Sequence, residues 1–346
     1  MTCKERFLSA IHFKRPDMPA LEYYYTDVGY AEHGEKLQKL YLRYPGDAAP
    51  VPSFDVMEMP KPEPGDIDRD GNYLRTEIDE WGTKWEYRIF GRIGCAVEFP
   101  LDDWDKLDDY LFPPVFISDP ANFTAFQKQA QETGSKYPVR YGIPGLLDRM
   151  IALRPFQDVL VDLIQESPEL IRLADILTER YTSEVKRALA AGTDIICIGD
   201  DYGTGQSLLV SPEIWRKIIQ PRLSQIIEPI KNAGKTCCFH SCGYIWDILP
   251  DLKRAGADSI WPQLPLYDYR SMASALRELK LSLCIHIDRG ELMQHGKPDD
   301  VRAEVERVFR AFRPDEGGSW FYFEVDQGFP FENIKALAEA IAVYRK

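Results

Sequence analysis

The second half of the chain alternates short apolar runs with helical patterns, and that rhythm restricts the fold more than any other feature. Strand-like Tyr137–Ile143 precedes helices at Pro155–Gln165 and Pro168–Ala191. Asp194–Ile198 precedes Pro212–Ala233, and Thr236–His240 precedes Tyr244–Ala255. Asp258–Trp261 precedes Tyr269–Lys280, Leu281–Ile287 precedes Asp299–Phe312, and Trp320–Val325 precedes Phe331–Tyr344. Consecutive strands separated by a helix pair in parallel through a crossover, so the repeat implies a parallel sheet. Ala20–Tyr25 and a weaker stretch at Ala49–Phe54 bring the strand candidates to eight. Eight such units in 346 residues fit an α/β fold closed as a (β/α)8 TIM barrel, and no G-x-G-x-x-G turn favours an open doubly wound sheet. Residues 1–346 then read as a single barrel domain.

Helix punctuation agrees. Ser167-Pro168-Glu169 and Ser211-Pro212-Glu213 each supply an N-cap, a proline at the first helical position and an acid in the first turn. Ala191-Gly192, Ala233-Gly234 and Ala255-Gly256 read as helix ends closed by glycine. Earlier in the chain, Cys3–Phe13 reads as a first helix and Glu32–Tyr44 as a second. From Met59 to Pro114 the helical rhythm stops. Tyr73–Ile78 and Thr83–Ile89 alternate there like a β-hairpin, so residues 59–114 read as an N-terminal insertion that offers a lid, or an interface for a homodimer.

With 42 basic and 55 acidic residues the net charge is −13, which disfavours nucleic acid and anionic membrane as partners. No apolar run approaches the roughly 20 residues of a membrane helix. The seven cysteines are scattered and odd in number, and Met1-Thr2-Cys3-Lys4-Glu5 does not read as a secretory leader. The expected location is therefore a reducing compartment, the cytoplasm.

A barrel of this kind carries its chemistry where strands end. The strand Thr236–His240 stops at His240-Ser241-Cys242-Gly243, which presents an imidazole and a thiol, both good zinc ligands. A catalytic zinc needs a third protein ligand from another strand end. Glu324 is the favoured candidate, with His286 next and Asp326 or Cys284 as alternatives. Gly199-Asp200-Asp201-Tyr202 places two adjacent carboxylates past a buried strand, suited either to handling substrate and protons or to capping a helix. Tyr23, Tyr24, Tyr25, Tyr202, Trp261, Trp320 and Tyr322 make the mouth aromatic, which suits either core packing or a pocket for a planar substrate. Tyr25, Tyr202, Gln263, His286 and Asp288 are the candidate substrate contacts.

Four segments together resemble the uroporphyrinogen decarboxylase superfamily, and more narrowly its cobalamin-dependent methyltransferase branch. They are Gly199-Asp200-Asp201, Leu209 to Trp215, His240-Ser241-Cys242-Gly243, and Pro330-Phe331-Glu332-Asn333-Ile334-Lys335-Ala336-Leu337. The resemblance covers about residues 137–346 and implies a (β/α)8 barrel. Decarboxylases of the superfamily carry an Arg-Gln-Ala-Gly-Arg segment after the first strand. This chain has Tyr24-Tyr25-Thr26-Asp27-Val28-Gly29-Tyr30, without an arginine to hold substrate carboxylates. The methyltransferase branch pairs His-x-Cys with a later cysteine on zinc. His240 and Cys242 match the pair, but no cysteine follows Cys284, and Glu324 or Asp326 stands in that region.

The resemblance thus implies a zinc-assisted methyltransferase acting between a small methyl donor and a corrinoid protein. A carboxylate ligand would harden the metal and favour an oxygen-bound methyl group, as in O-demethylation of a methoxylated aromatic. Asp200 and Asp201 would position substrate. No Asp-x-His-x-x-Gly segment occurs, so cobalamin would arrive on a partner protein. A uroporphyrinogen decarboxylase-type carboxy-lyase and a non-catalytic ligand-binding barrel are the alternatives.

Overall fold

A computed structural model describes residues 1–51 and 61–346. The parallel sheet comprises β1 (Leu21–Tyr25), β5 (Arg140–Pro144), β6 (Ile195–Gly199), β7 (Thr236–Ser241), β8 (Ser259–Pro262), β9 (Ser282–Ile285) and β10 (Ser319–Val325). Their spatial order is β1-β10-β9-β8-β7-β6-β5, the order of a barrel read around its circumference. One cavity of about 370 Å³ is lined by Glu22, Arg140, Cys197, Cys238, Ser259, Cys284 and Trp320, so all seven strands curl around a common interior. The sheet is TIM-barrel-like. Its edges are β1 and β5, and Arg140 of β5 bridges them by an ion pair to Glu22 of β1. Of the expected eighth strand, residues 49–51 are not in a strand, and Pro52 to Phe54 lie outside the described residues.

The strands are apolar because both faces are covered, as parallel sheets require. All seven residues of β10 are buried. The expected helix caps form: Ser167 Oγ accepts from Leu170 N and Ser211 Oγ from Ile214 N. The three Ala-Gly stops hold, with Gly192, Gly234 and Gly256 all at positive φ. Two expected helices are divided. Glu32–Tyr44 becomes Asp27–His33 and Glu35–Arg43, parted at Gly34. Pro212–Ala233 contains a π-turn at Trp215–Ile219, just before Pro221, whose missing N–H interrupts the hydrogen-bond ladder.

The insertion has one more strand than the hairpin expected. β2 (Arg75–Ile78), β3 (Lys84–Tyr87) and β4 (Cys95–Glu98) form a separate antiparallel sheet. Asp79 Oδ1 accepts from Trp81 N and Thr83 N to close its first turn. Arg92 then reaches Asp326 at the end of β10, docking the insertion on the mouth of the barrel. Among the described residues no helix is long and apolar enough to cross a membrane.

Candidate functional site

The loops leaving β6 and β7 carry the site, and two glycines set their spacing. Gly243 has φ +79°, and a Cβ there would lie 2.1 Å from the carbonyl carbon of Gly203. The two loops therefore touch backbone to backbone, held by Tyr244 N donating to Thr204 O at 2.7 Å. Gln263 Oε1 accepts from Gly243 N at 3.1 Å and steadies the β7 loop from the end of β8.

This contact brings Asp201 of one loop to His240 and Cys242 of the other. A carboxylate oxygen, an imidazole nitrogen and a thiol sulfur lie within 4.8 Å of one another. Nε2 of His240 is 3.6 Å from Asp201 Oδ1 and 3.5 Å from Cys242 Sγ. The Cys242 amide donates to Asp201 Oδ1 at 2.7 Å. Nδ1 of His240 lies 2.8 Å from the Trp261 carbonyl oxygen, to which it donates in the neutral ring, leaving the Nε2 lone pair directed at the cluster. Burial holds that imidazole neutral by lowering its pKa, against the opposing pull of Asp201. Burial and then Asp201 push the Cys242 thiol up to about 12. The Asp201 side chain is 44% exposed, so the cluster is open on the solvent side.

Of the residues expected as ligands, the structure brings His240 and Cys242 together and joins them with Asp201, which the sequence placed with the substrate. Glu324 is outside this group. Arg289 Nη1 donates to its Oε1 at 2.7 Å, and its Oε2 is buried without a partner. Asp326 is engaged by Arg92, Thr26 and the Gln327 amide. His286 is buried beside Trp261, and Cys284 lines the interior cavity.

Asp200 is 1% exposed and turned away from the mouth. Its oxygens accept from Leu147 N at 3.1 Å and Asp148 N at 2.8 Å, capping the helix Leu146–Leu153. Burial, with Asp148 next to it, pushes the Asp200 carboxyl up to about 8. The capping alternative recognised in the sequence is what these bonds satisfy. Tyr202 is buried against Phe239 and Trp215, and Asp288 caps a turn by accepting from Gly290 N and Glu291 N. Tyr25 packs on Tyr30 and Tyr41 beside a separate hollow of about 310 Å³.

Sequence reasoning did not single out Asp148, Arg289 or Arg140. Asp148 Oδ1 accepts from Asp201 N at 3.2 Å and orients that residue; burial and then Asp201 push it up to about 6. Its only signal was a place just past the end of β5, the kind of position where such a barrel carries its site.

Fold and site together define a TIM-like barrel with a three-donor cluster at the C-terminal ends of neighbouring strands. Residues 144–344 match the uroporphyrinogen decarboxylase (URO-D) family, and the chain belongs to it. Solved structures similar to it include a methyltransferase from Methanosarcina mazei, 16% identical over 99% of both chains with a TM-score of 0.68. That likeness is one of fold. A B12-independent methionine synthase from Shewanella sp. W3-18-1 is 14% identical over 80% of this chain and 75% of its own, with a TM-score of 0.44. A dihydropteroate synthase from Xanthomonas albilineans is 17% identical over 50% of this chain and 61% of its own, with a TM-score of 0.32. No curated protein matches the chain in sequence.

Proposed function

We propose that the chain is a methyltransferase that holds zinc at Asp201, His240 and Cys242. It would move a methyl group between a small methylated compound, a methoxylated aromatic, and a corrinoid carried by a separate protein. The observation that carries this reading is the convergence of those three donors at the mouth. The fold shared with the Methanosarcina mazei methyltransferase over nearly all of both chains supports it.

The donor set fits zinc. Imidazole nitrogen, thiolate sulfur and carboxylate oxygen are all ordinary zinc ligands, and three protein donors leave a further position for substrate. The Trp261 carbonyl gives His240 the second partner that metal-bound imidazoles usually have. Bound there, zinc supplies a Lewis acid for an ether oxygen or keeps a thiol substrate as its thiolate.

The chain's own residues bind and orient. Trp261, Trp320, Tyr322 and Phe239 line the cavity beneath His240 with flat apolar surfaces that suit an aromatic ring and exclude water. In the transfer the substrate's C–O bond breaks, and its oxygen keeps the bonding pair and takes a proton from solvent water. The methyl group leaves as a cation equivalent, and the acceptor on the partner protein supplies the pair for the new bond.

A carboxy-lyase acting on a polycarboxylate would need free cations. Arg92, Arg140 and Arg289 each already hold an acid, Asp326, Glu22 and Glu324 respectively. The test is methyl transfer from a panel of methoxyarenes to a Co(I) corrinoid protein, followed by its absorption change. Transfer with at least one donor is expected. No transfer from any donor to a corrinoid protein known to be active would overturn the proposal, and ligand-induced thermal stabilisation of metal-free protein would favour a binding barrel instead.

A further inference from the structure

Below the mouth, the inner face of the sheet carries a second sulfur pair that the methyl transfer does not use. Cys197 of β6 and Cys238 of β7 are register partners, side by side on adjacent strands, and both line the interior cavity. Arg140 Nη2 donates to Cys197 Sγ at 3.4 Å. Arg140 is in turn anchored by Glu22, which also accepts from Trp320 Nε1 at 3.1 Å. The neighbouring Cys238 foremost, with Arg140 behind it, brings the Cys197 thiol down to about 6 against the effect of burial.

We propose that Cys197 and Cys238 form a two-sulfur site for a soft monovalent cation, copper(I) or silver(I), inside the barrel. Softness is the first argument, because thiolates select copper(I) over hard ions. Distance is the second. Two metal–sulfur bonds of about 2.3 Å each span up to ~4.6 Å. Adjacent strands are about 4.8 Å apart, so a near-linear bridge fits between register partners.

Charge is the third argument. Both thiol protons leave as the two metal–sulfur bonds form, S–H + H–S + M⁺ giving S–M–S⁻ + 2H⁺; nothing is oxidised or reduced, and Arg140 lies beside the one negative charge that results. A divalent ion wants more donors than are free here. Glu22 is engaged by Arg140 and Trp320.

The full-length protein is titrated anaerobically with copper(I) held by bicinchoninate, and the copper retained is counted. Wild type, Cys242→Ala and Cys284→Ser should each retain one copper(I) more than Cys197→Ser or Cys238→Ser. Equal uptake by wild type and the Cys197→Ser and Cys238→Ser variants would overturn the proposal, as would loss of that copper in Cys242→Ala alone. X-ray absorption on copper-loaded Cys242→Ala, whose mouth lacks its thiol, reads the ligands directly: two sulfur neighbours support the site, and a nitrogen neighbour refutes it.

Discussion

Glu22 and Arg140 form an ion pair across the gap between β1 and β5, the two edge strands of the parallel sheet. The Trp320 indole donates to the same carboxylate, so three strands meet at one buried acid. This pair ties the first strand to the βα repeat that follows it, more than a hundred residues later.

Removing the Glu22 carboxylate leaves buried Arg140 with the Cys197 sulfur in place of its ion-pair partner. Glu22→Gln should therefore lower unfolding free energy by roughly 3 kcal/mol, the low end for a broken buried pair because Arg140 is 32% exposed to the cavity. Replacing both residues with methionine should cost far less. Chemical denaturation of the single and double variants checks this, and equal losses would contradict it.

Asp200 and Gly145 belong to one cap. A Cβ on Gly145 would lie 2.0 Å from the Asp200 carboxyl carbon, so Gly145→Ala should cost upwards of about 2 kcal/mol. Asp200→Ala loses the cap bonds to Leu147 and Asp148, worth about 1 kcal/mol or somewhat more. Thermal melts measure both, and a neutral Gly145→Ala would show that this close approach is wrong.

His286 gives the protein an acid-sensitive core. Burial first, then Arg289, lowers its pKa from the ordinary 6.5 to about 3. The folded pKa lies below the unfolded one, so this contribution is fully present above pH 6.5 and is lost as pH falls towards 3. By pH 5 the loss is about 2 kcal/mol. Urea melts at pH 7 and pH 5 should show wild type losing about that much more than His286→Gln. Parallel losses in the two proteins would contradict the sign.

Gly243→Ala tests the loop contact that builds the site. Its Cβ would strike the Gly203 backbone, pushing the β6 and β7 loops apart and displacing Asp201 from His240 and Cys242. Zinc affinity should fall by at least about tenfold, as for other disturbances of the surroundings of a metal ligand. Competition with a chelator measures it, and unchanged affinity would mean that the loops adjust.

Most of the barrel was legible because a parallel strand covered on both faces is a continuous apolar run, and Thr236–Ser241 and Ser319–Val325 are written that way. Gly192, Gly234 and Gly256 marked helix ends because positive φ is costly for other residues. The helix Pro120–Thr133 was not legible: Ala130 is its one buried residue, so it shows almost no apolar stripe. Leu146–Leu153 escaped for another reason, its N-terminus being capped by Asp200 from far along the chain instead of by a local residue.

In the site, His240 and Cys242 could be read as a pair because one strand end carries both. The grouping with Asp201 could not. It depends on Gly203 meeting Gly243 across two loops, and adjacent Asp200 and Asp201 differ only in which way each side chain turns. Nor could the sequence show that Arg289 engages Glu324, since that contact joins the loop after β9 to strand β10, 35 positions apart.

The central claim is that Asp201, His240 and Cys242 hold zinc. The most direct test is the metal content of wild type, Asp201→Ala, Cys242→Ala and Glu324→Gln, each purified without chelator. About one zinc per chain in wild type and Glu324→Gln, lost in Asp201→Ala and Cys242→Ala, is the predicted result. Zinc lost in Glu324→Gln but kept in Asp201→Ala, or absent from wild type, would contradict it.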